Sequence, residues 1–90
     1  MNTESLTCRK VGNGEIQKPG DFCFDDEYSH LYIWLPGCCG PDALRIQRGS
    51  PGGDRVWGWN GEIELPTLSP SIHAPGQWHG YLKSGNLESC

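Results

Sequence analysis

The sequence predicts a mainly β fold, a small single domain built as an antiparallel sheet or partly open barrel of short strands and hairpins, stapled by a metal site. Thirteen Gly and seven Pro are spread along the 90 residues. In helix interiors each costs about 1 and 3 kcal/mol respectively, which forbids long helices. Runs of β-branched and aromatic residues recur between turn signals, as in HLYIWL and ALRIQR. Four Trp, three Tyr and two Phe supply a modest core, each removing about 150–250 Å² from water. A core of that size gains from a staple. The expected organisation is one domain over residues 1–90, with 1–18 a loosely packed N-terminal strand around Leu6 to Val11 and 19–90 the core.

Along the chain, the Pro19-Gly20-Asp21 turn launches Phe22-Cys23-Phe24, where alternation sets both rings on one face and the thiol on the other. Asp25-Asp26-Glu27 closes that strand as a solvated turn. His30 to Leu35 forms the most strand-like run; PGCCGPD breaks it, and ALRIQR alternates into the next strand. Trp57-Gly58-Trp59 leads into Asn60-Gly61, a two-residue hairpin signal. Pairing across that turn sets Trp59 opposite Glu62 and Trp57 opposite Glu64, with Val56, Ile63 and Leu65 on the other face. Two indoles and two carboxylates on one side form either a partner-binding face or core packing with the indole N–H groups bonded to the glutamates. PTLSPSI follows as an edge strand or surface strap, because Pro66 and Pro70 each remove a backbone donor.

A formal charge of −4 opposes non-specific attraction to nucleic acid or an anionic membrane. The local exception, RIQRGSPGGDR from Arg45 to Arg55, is expected to be a solvated Gly-rich hairpin tip, with a phosphate-contacting loop as the alternative. No apolar segment opens the chain, and LYIWL falls far short of a membrane span. The expected location is cytoplasmic, in a bacterium or a phage-infected cell, where the five cysteines serve as thiols or metal ligands rather than disulfides.

The C-terminal GQWHGYLKSGNLESC reads as a hairpin. With Ser84-Gly85 as the loop, Leu82 faces Leu87 and His79 faces Cys90; with Gly85-Asn86 as the loop, Tyr81 faces Cys90. Both registers leave His79 and Cys90 on one face, within reach of a shared ion. The PGCCG turn supplies further thiols. The residues alone support Cys38, His79 and Cys90 as ligands, with the fourth open among Cys39, Cys23, His73 and water; buried thiols with a hydrogen-bonded core histidine are the alternative. A Cys–His nucleophile is disfavoured, since a thiol at the chain end is a poor platform for catalysis.

At WGWNGEIELPTLSPSI, with WHGYL and a Gly turn after it, the sequence resembles a family of small phage and prophage proteins often labelled "ammonia monooxygenase", a label that nothing in these residues supports. The resemblance spans Pro19 to Cys90. It implies zinc binding, with Cys38, His79 and Cys90 in matching positions. Leu35 stands where many relatives have a first cysteine, and Trp78 where some have a Cys before the His, so Cys39 is the local replacement for the fourth ligand. Relatives encoded beside ubiquitin-like conjugation genes point to a partner-binding role.

The expected function is therefore a zinc-stapled protein that binds a host or phage protein through Trp57, Trp59, Glu62 and Glu64, with structural zinc at Cys38, Cys39, His79 and Cys90. Two alternatives stand beside it. One is a zinc hydrolase with an open coordination position and Glu62 or Glu64 as general base; the other is a zinc-ribbon-like module contacting nucleic acid through Arg45, Arg48 and Arg55.

Overall fold

Alternation of buried and exposed residues becomes short strands spread along the chain in the computed structural model, which describes residues 5–53, 56–74 and 77–89. The strands are β1 (Ser5–Thr7), β2 (Arg9–Lys10), β3 (Asp21–Phe24), β4 (His30–Ile33), β5 (Asp42–Arg48), β6 (Trp57–Trp59), β7 (Leu68–Ser69), β8 (Ile72–Ala74), β9 (Trp78–Lys83) and β10 (Asn86–Ser89). No helix occurs among the described residues, and hence none long and apolar enough to cross a membrane. The expected mainly β class is what the chain adopts.

Two sheets result. One has four strands in the order β1-β10-β9-β8, the other six in the order β2-β3-β4-β5-β6-β7. Their inner faces share one core, in which Phe22, Leu31, Ile33, Leu44 and Ile46 of the larger sheet meet Ile72, Leu82 and Leu87 of the smaller. Burying a side chain of this kind contributes about 1.5–3 kcal/mol. Within the fold Asp21 is wholly buried and held by charge: Arg9 Nε and Nη2 donate to its two oxygens at 3.1 and 2.9 Å, and the Gln17 N–H donates at 3.0 Å.

Three local expectations meet different outcomes. The C-terminal hairpin turns at Ser84-Gly85 and pairs Leu87 with Leu82 and Ser89 with Gly80, the first of the two expected registers. Both turn residues have positive φ, 48° and 78°, as a tight hairpin matching the strand twist requires. The Arg45–Arg55 segment, of which residues 54 and 55 lie outside the described residues, is not the tip of a hairpin between β5 and β6, because those strands run parallel. Gly58 permits this: a Cβ there would collide with the Ser50 carbonyl, so the Ser50–Gly52 loop folds directly over β6.

The Asn60-Gly61 hairpin also does not form. Trp59 pairs with Leu68 rather than Glu62. Asn60 Oδ1 accepts from the N–H groups of Glu62 and Thr67, both at 3.1 Å, and Trp59 Nε1 donates to the Glu62 carbonyl at 3.0 Å. These bonds hold residues 61–66 as a loop. The Pro66 carbonyl then accepts from Gly85 N–H at 3.0 Å, and Thr67 Oγ1 from Ser84 N–H at 2.8 Å, which ties that loop to the C-terminal turn.

Candidate active site

Proline decides where the two sheets meet. Pro70 has no N–H to give a ladder, so pairing with β6 ends at Ser69, and the chain resumes at Ile72 as the edge strand of the other sheet. The expectation of edge strands in PTLSPSI holds, since β7 and β8 each end a sheet. Ser71 is the hinge between them. Its carbonyl accepts from Trp57 Nε1 at 3.2 Å, which holds a half-buried serine against the larger sheet.

Strand β8 pairs antiparallel with β9, setting Ile72 against Gly80, His73 against His79 and Ala74 against Trp78. Ile72 and Gly80 face inward, while both histidines face solvent. Ser71 lies two residues before His73 and so projects to the same side. His79 Nε2 lies 3.1 Å from Ser71 Oγ. With the ring proton on Nδ1, Nε2 accepts from the hydroxyl, the arrangement in which an imidazole can take the serine proton. The His73 ring packs beside His79 with centroids 4.9 Å apart and planes tilted by 44°.

Gly80 makes room for the indole beside His79. A Cβ on it would strike the Glu88 carbonyl and lie 2.6 Å from the Trp78 ring, so the Trp78 indole rests across the bare glycine next to His79. On its other side His73 borders an open cleft of about 630 Å³, walled by Ala74 and Gln77 on the β8–β9 side and by residues 38–42 opposite. The 38–42 segment is anchored by Trp34 Nε1, which donates to the Cys38 carbonyl at 2.8 Å.

A second serine–histidine contact has a different character. Ser29 Oγ lies 3.0 Å from His30 Nδ1, but the same hydroxyl donates to Asp25 Oδ2 at 2.6 Å. Asp25 Oδ1 also accepts the backbone N–H groups of Ser29 and His30 at 2.7 and 3.1 Å. The Ser29 hydroxyl bond leads the interactions that hold the Asp25 carboxyl down to about 2. A carboxylate so stabilised is a weak base, and its role here is to close the turn between β3 and β4.

Of the expected metal ligands, Cys38 and Cys39 sit in the turn after β4 and line the cleft that His73 borders, His79 faces Ser71, and Cys90 lies outside the described residues. Among the described residues no group of three or more His, Cys, Asp or Glu could hold a metal ion. The other two ligand candidates part ways: Cys23 is buried in β3, whereas His73 packs against His79 and borders the cleft with Cys38 and Cys39. Burial, then the charges of Asp42 and Cys39, push the Cys38 thiol up, which keeps it protonated.

Of the expected partner-binding residues, Trp59 is buried against Phe24, with ring centroids 5.0 Å apart. Trp57 is half-buried and bonds Ser71. Glu62 and Glu64 are exposed in the loop, Glu64 lying 3.9 Å from Lys10 Nζ. Sequence reasoning did not single out Ser71. Its place beside His79 follows from the pairing of β8 with β9, which no motif in the sequence announces.

The model of the BubE family, described as the bacterial ubiquitination-like system serine protease, matches residues 9–90. That range contains Ser71, His73 and His79, and the chain belongs to this family. No curated protein and no solved structure matches it.

Proposed function

We propose that this member of the BubE family is a serine protease acting within a ubiquitination-like system, with Ser71 as nucleophile and His79 as general base. The observation that carries the proposal is the 3.1 Å contact between Ser71 Oγ and His79 Nε2 on an accessible face. The family's description as a serine protease supports it independently.

The chemistry follows from the pair. As Ser71 Oγ attacks a peptide carbonyl, its proton passes to His79 Nε2. The C–N bond then breaks, and His79 returns that proton to the departing amine. Water, deprotonated by the same imidazole, attacks the resulting ester and releases the acid and the free serine. Trp57 keeps Ser71 in place through its carbonyl, and Gly80 lets β9 hold His79 at the required register.

Labelling by a fluorophosphonate, which forms a covalent bond to an activated serine, tests this directly. The expected result is one adduct per chain, located on Ser71 by peptide mass spectrometry. It should be lost in Ser71→Ala and slowed in His79→Ala by about 10²–10⁴-fold, the usual contribution of general acid–base catalysis. Ser29→Ala should label like the parent. An adduct on Ser29, or an undiminished rate in a folded His79→Ala variant, overturns the assignment.

A further inference from the structure

Strand β8 ends the four-stranded sheet, so among the described residues one of its backbone edges has no strand partner. An unpaired edge offers N–H and C=O groups to any extended chain laid beside it. The cleft adjoins that strand, bordered on one side by His73 and Ala74 and on the other by the 38–42 segment. His73 belongs to both places, lining the cleft and packing against His79. Two residues of strand span about 6.6 Å, so Ser71 lies within one side chain's reach of where the cleft begins.

The cleft carries a charge preference. Asp42 is the one carboxylate along its wall; it is exposed and joins no ion pair among the described residues. Among the described residues no Lys or Arg lines the cleft to neutralise it. A net charge of −4 adds to the same field.

Resting on the Ser71–His79 assignment, we propose that the substrate is an extended peptide that adds antiparallel to β8. The residues preceding its scissile bond would lie in the cleft, where Asp42 pairs with a Lys or Arg side chain. The direction follows from the fold. Strand β8 runs from Ile72 to Ala74, away from Ser71, so an antiparallel chain runs back toward Ser71 and presents its carbonyl there after passing the cleft. Antiparallel pairing is also the slightly more stable mode per residue.

Fluorescence anisotropy of dye-labelled Ala-Gly pentapeptides carrying a central Lys or Glu tests the cleft without requiring any chemistry. The Lys peptide should bind the full chain roughly fivefold more tightly than the Glu peptide, as a partly exposed ion pair allows. Asp42→Asn should erase that difference and Asp42→Lys reverse it. Methylating the backbone nitrogens of the Lys peptide should weaken its binding at unchanged charge, because the edge bonds are lost. Equal binding of Lys and Glu peptides, no measurable binding of either, or indifference to Asp42→Asn overturns the proposal. Fluorophosphonate labelling of the parent keeps the two claims apart: a failure to label at Ser71 counts against the dyad and leaves the peptide-binding result to stand or fall by itself.

Discussion

The indole of Trp57 holds Ser71 from behind, its Nε1–H donating to the Ser71 carbonyl at 3.2 Å across 14 residues of sequence. One bond thereby joins the larger sheet to the residue placed against His79 on the smaller. Trp57→Phe removes that donor and keeps most of the ring. The expected outcome is a folded protein weaker by about 1 kcal/mol, the usual net value of a neutral hydrogen bond. Its fluorophosphonate labelling should slow by about tenfold because the serine is less firmly placed. Chemical denaturation and labelling kinetics measure the two effects; loss of stability with an unchanged labelling rate would make Trp57 a packing residue alone.

Acid should weaken the fold through two carboxylates. The Asp25 carboxyl is drawn from an ordinary value of 3.8 to about 2, chiefly by the Ser29 hydroxyl. Asp21 is lowered chiefly by Arg9. A group whose pKa is lower when folded binds protons more readily when unfolded, so its stabilisation is complete above the unfolded value and lost as pH falls through the folded one. The melting temperature should therefore be flat with respect to these groups above about pH 5 and fall between about pH 4 and pH 2. Asp25→Asn should flatten part of that fall. An acid limb unchanged by both Asp25→Asn and Asp21→Asn would assign it to other groups.

How much of this was legible in the chain depends on how local the determining contacts are. The C-terminal hairpin could be narrowed to two registers because its turn signal is local; the two differ by two residues and keep the same side chains inward, so burial alone does not choose between them, and the fold adopts the Ser84-Gly85 turn. The Asn60-Gly61 signal failed because its outcome rests on distant partners: Thr67 and Glu62 N–H groups capture Asn60 Oδ1, and the loop docks on Ser84 and Gly85. His79 was read together with Cys90, which lies outside the described residues, and not with Ser71. Its hydroxyl neighbour comes from a different hairpin, and adjacency across β8 and β9 carries no spacing motif. Ser71 looked like one of the two serines of PTLSPSI until Pro70 was seen to hand the chain from one sheet to the other.

Thiol chemistry should rank the described cysteines by burial. Cys8 is pushed up to about 11, first by its burial. At pH 8 a thiol of that kind is ionised in roughly one molecule in a thousand. Cys23 and Cys38 are raised as well, each first by burial, while Cys39 is exposed beside the cleft. Brief treatment of the native protein with iodoacetamide, followed by peptide mass spectrometry, should modify Cys39 well before Cys8, Cys23 or Cys38. Denaturant should then level the rates. Early modification of Cys8 would contradict the packing of β1 and β2 against the core.

Gly80 offers the sharpest link between packing and reactivity. It pairs with Ile72 and Ser89 in the middle of the smaller sheet, and an added methyl group has nowhere to go, with the Glu88 carbonyl on one side and the Trp78 ring on the other. The backbone of β10 cannot yield without breaking its ladder, so the indole must leave or β9 must shift. Overpacking of this kind costs about 1–3 kcal/mol. Either displacement moves the residue next door, which is His79, whose 3.1 Å contact with Ser71 tolerates little change. Gly80→Ala should thus lose stability and, among molecules that remain folded, label more slowly than the parent. The paired variant Gly80→Ala with Trp78→Ala, which clears the ring but not the carbonyl, separates the causes. Recovery of labelling would assign the displacement to the indole, and continued loss would assign it to the strand.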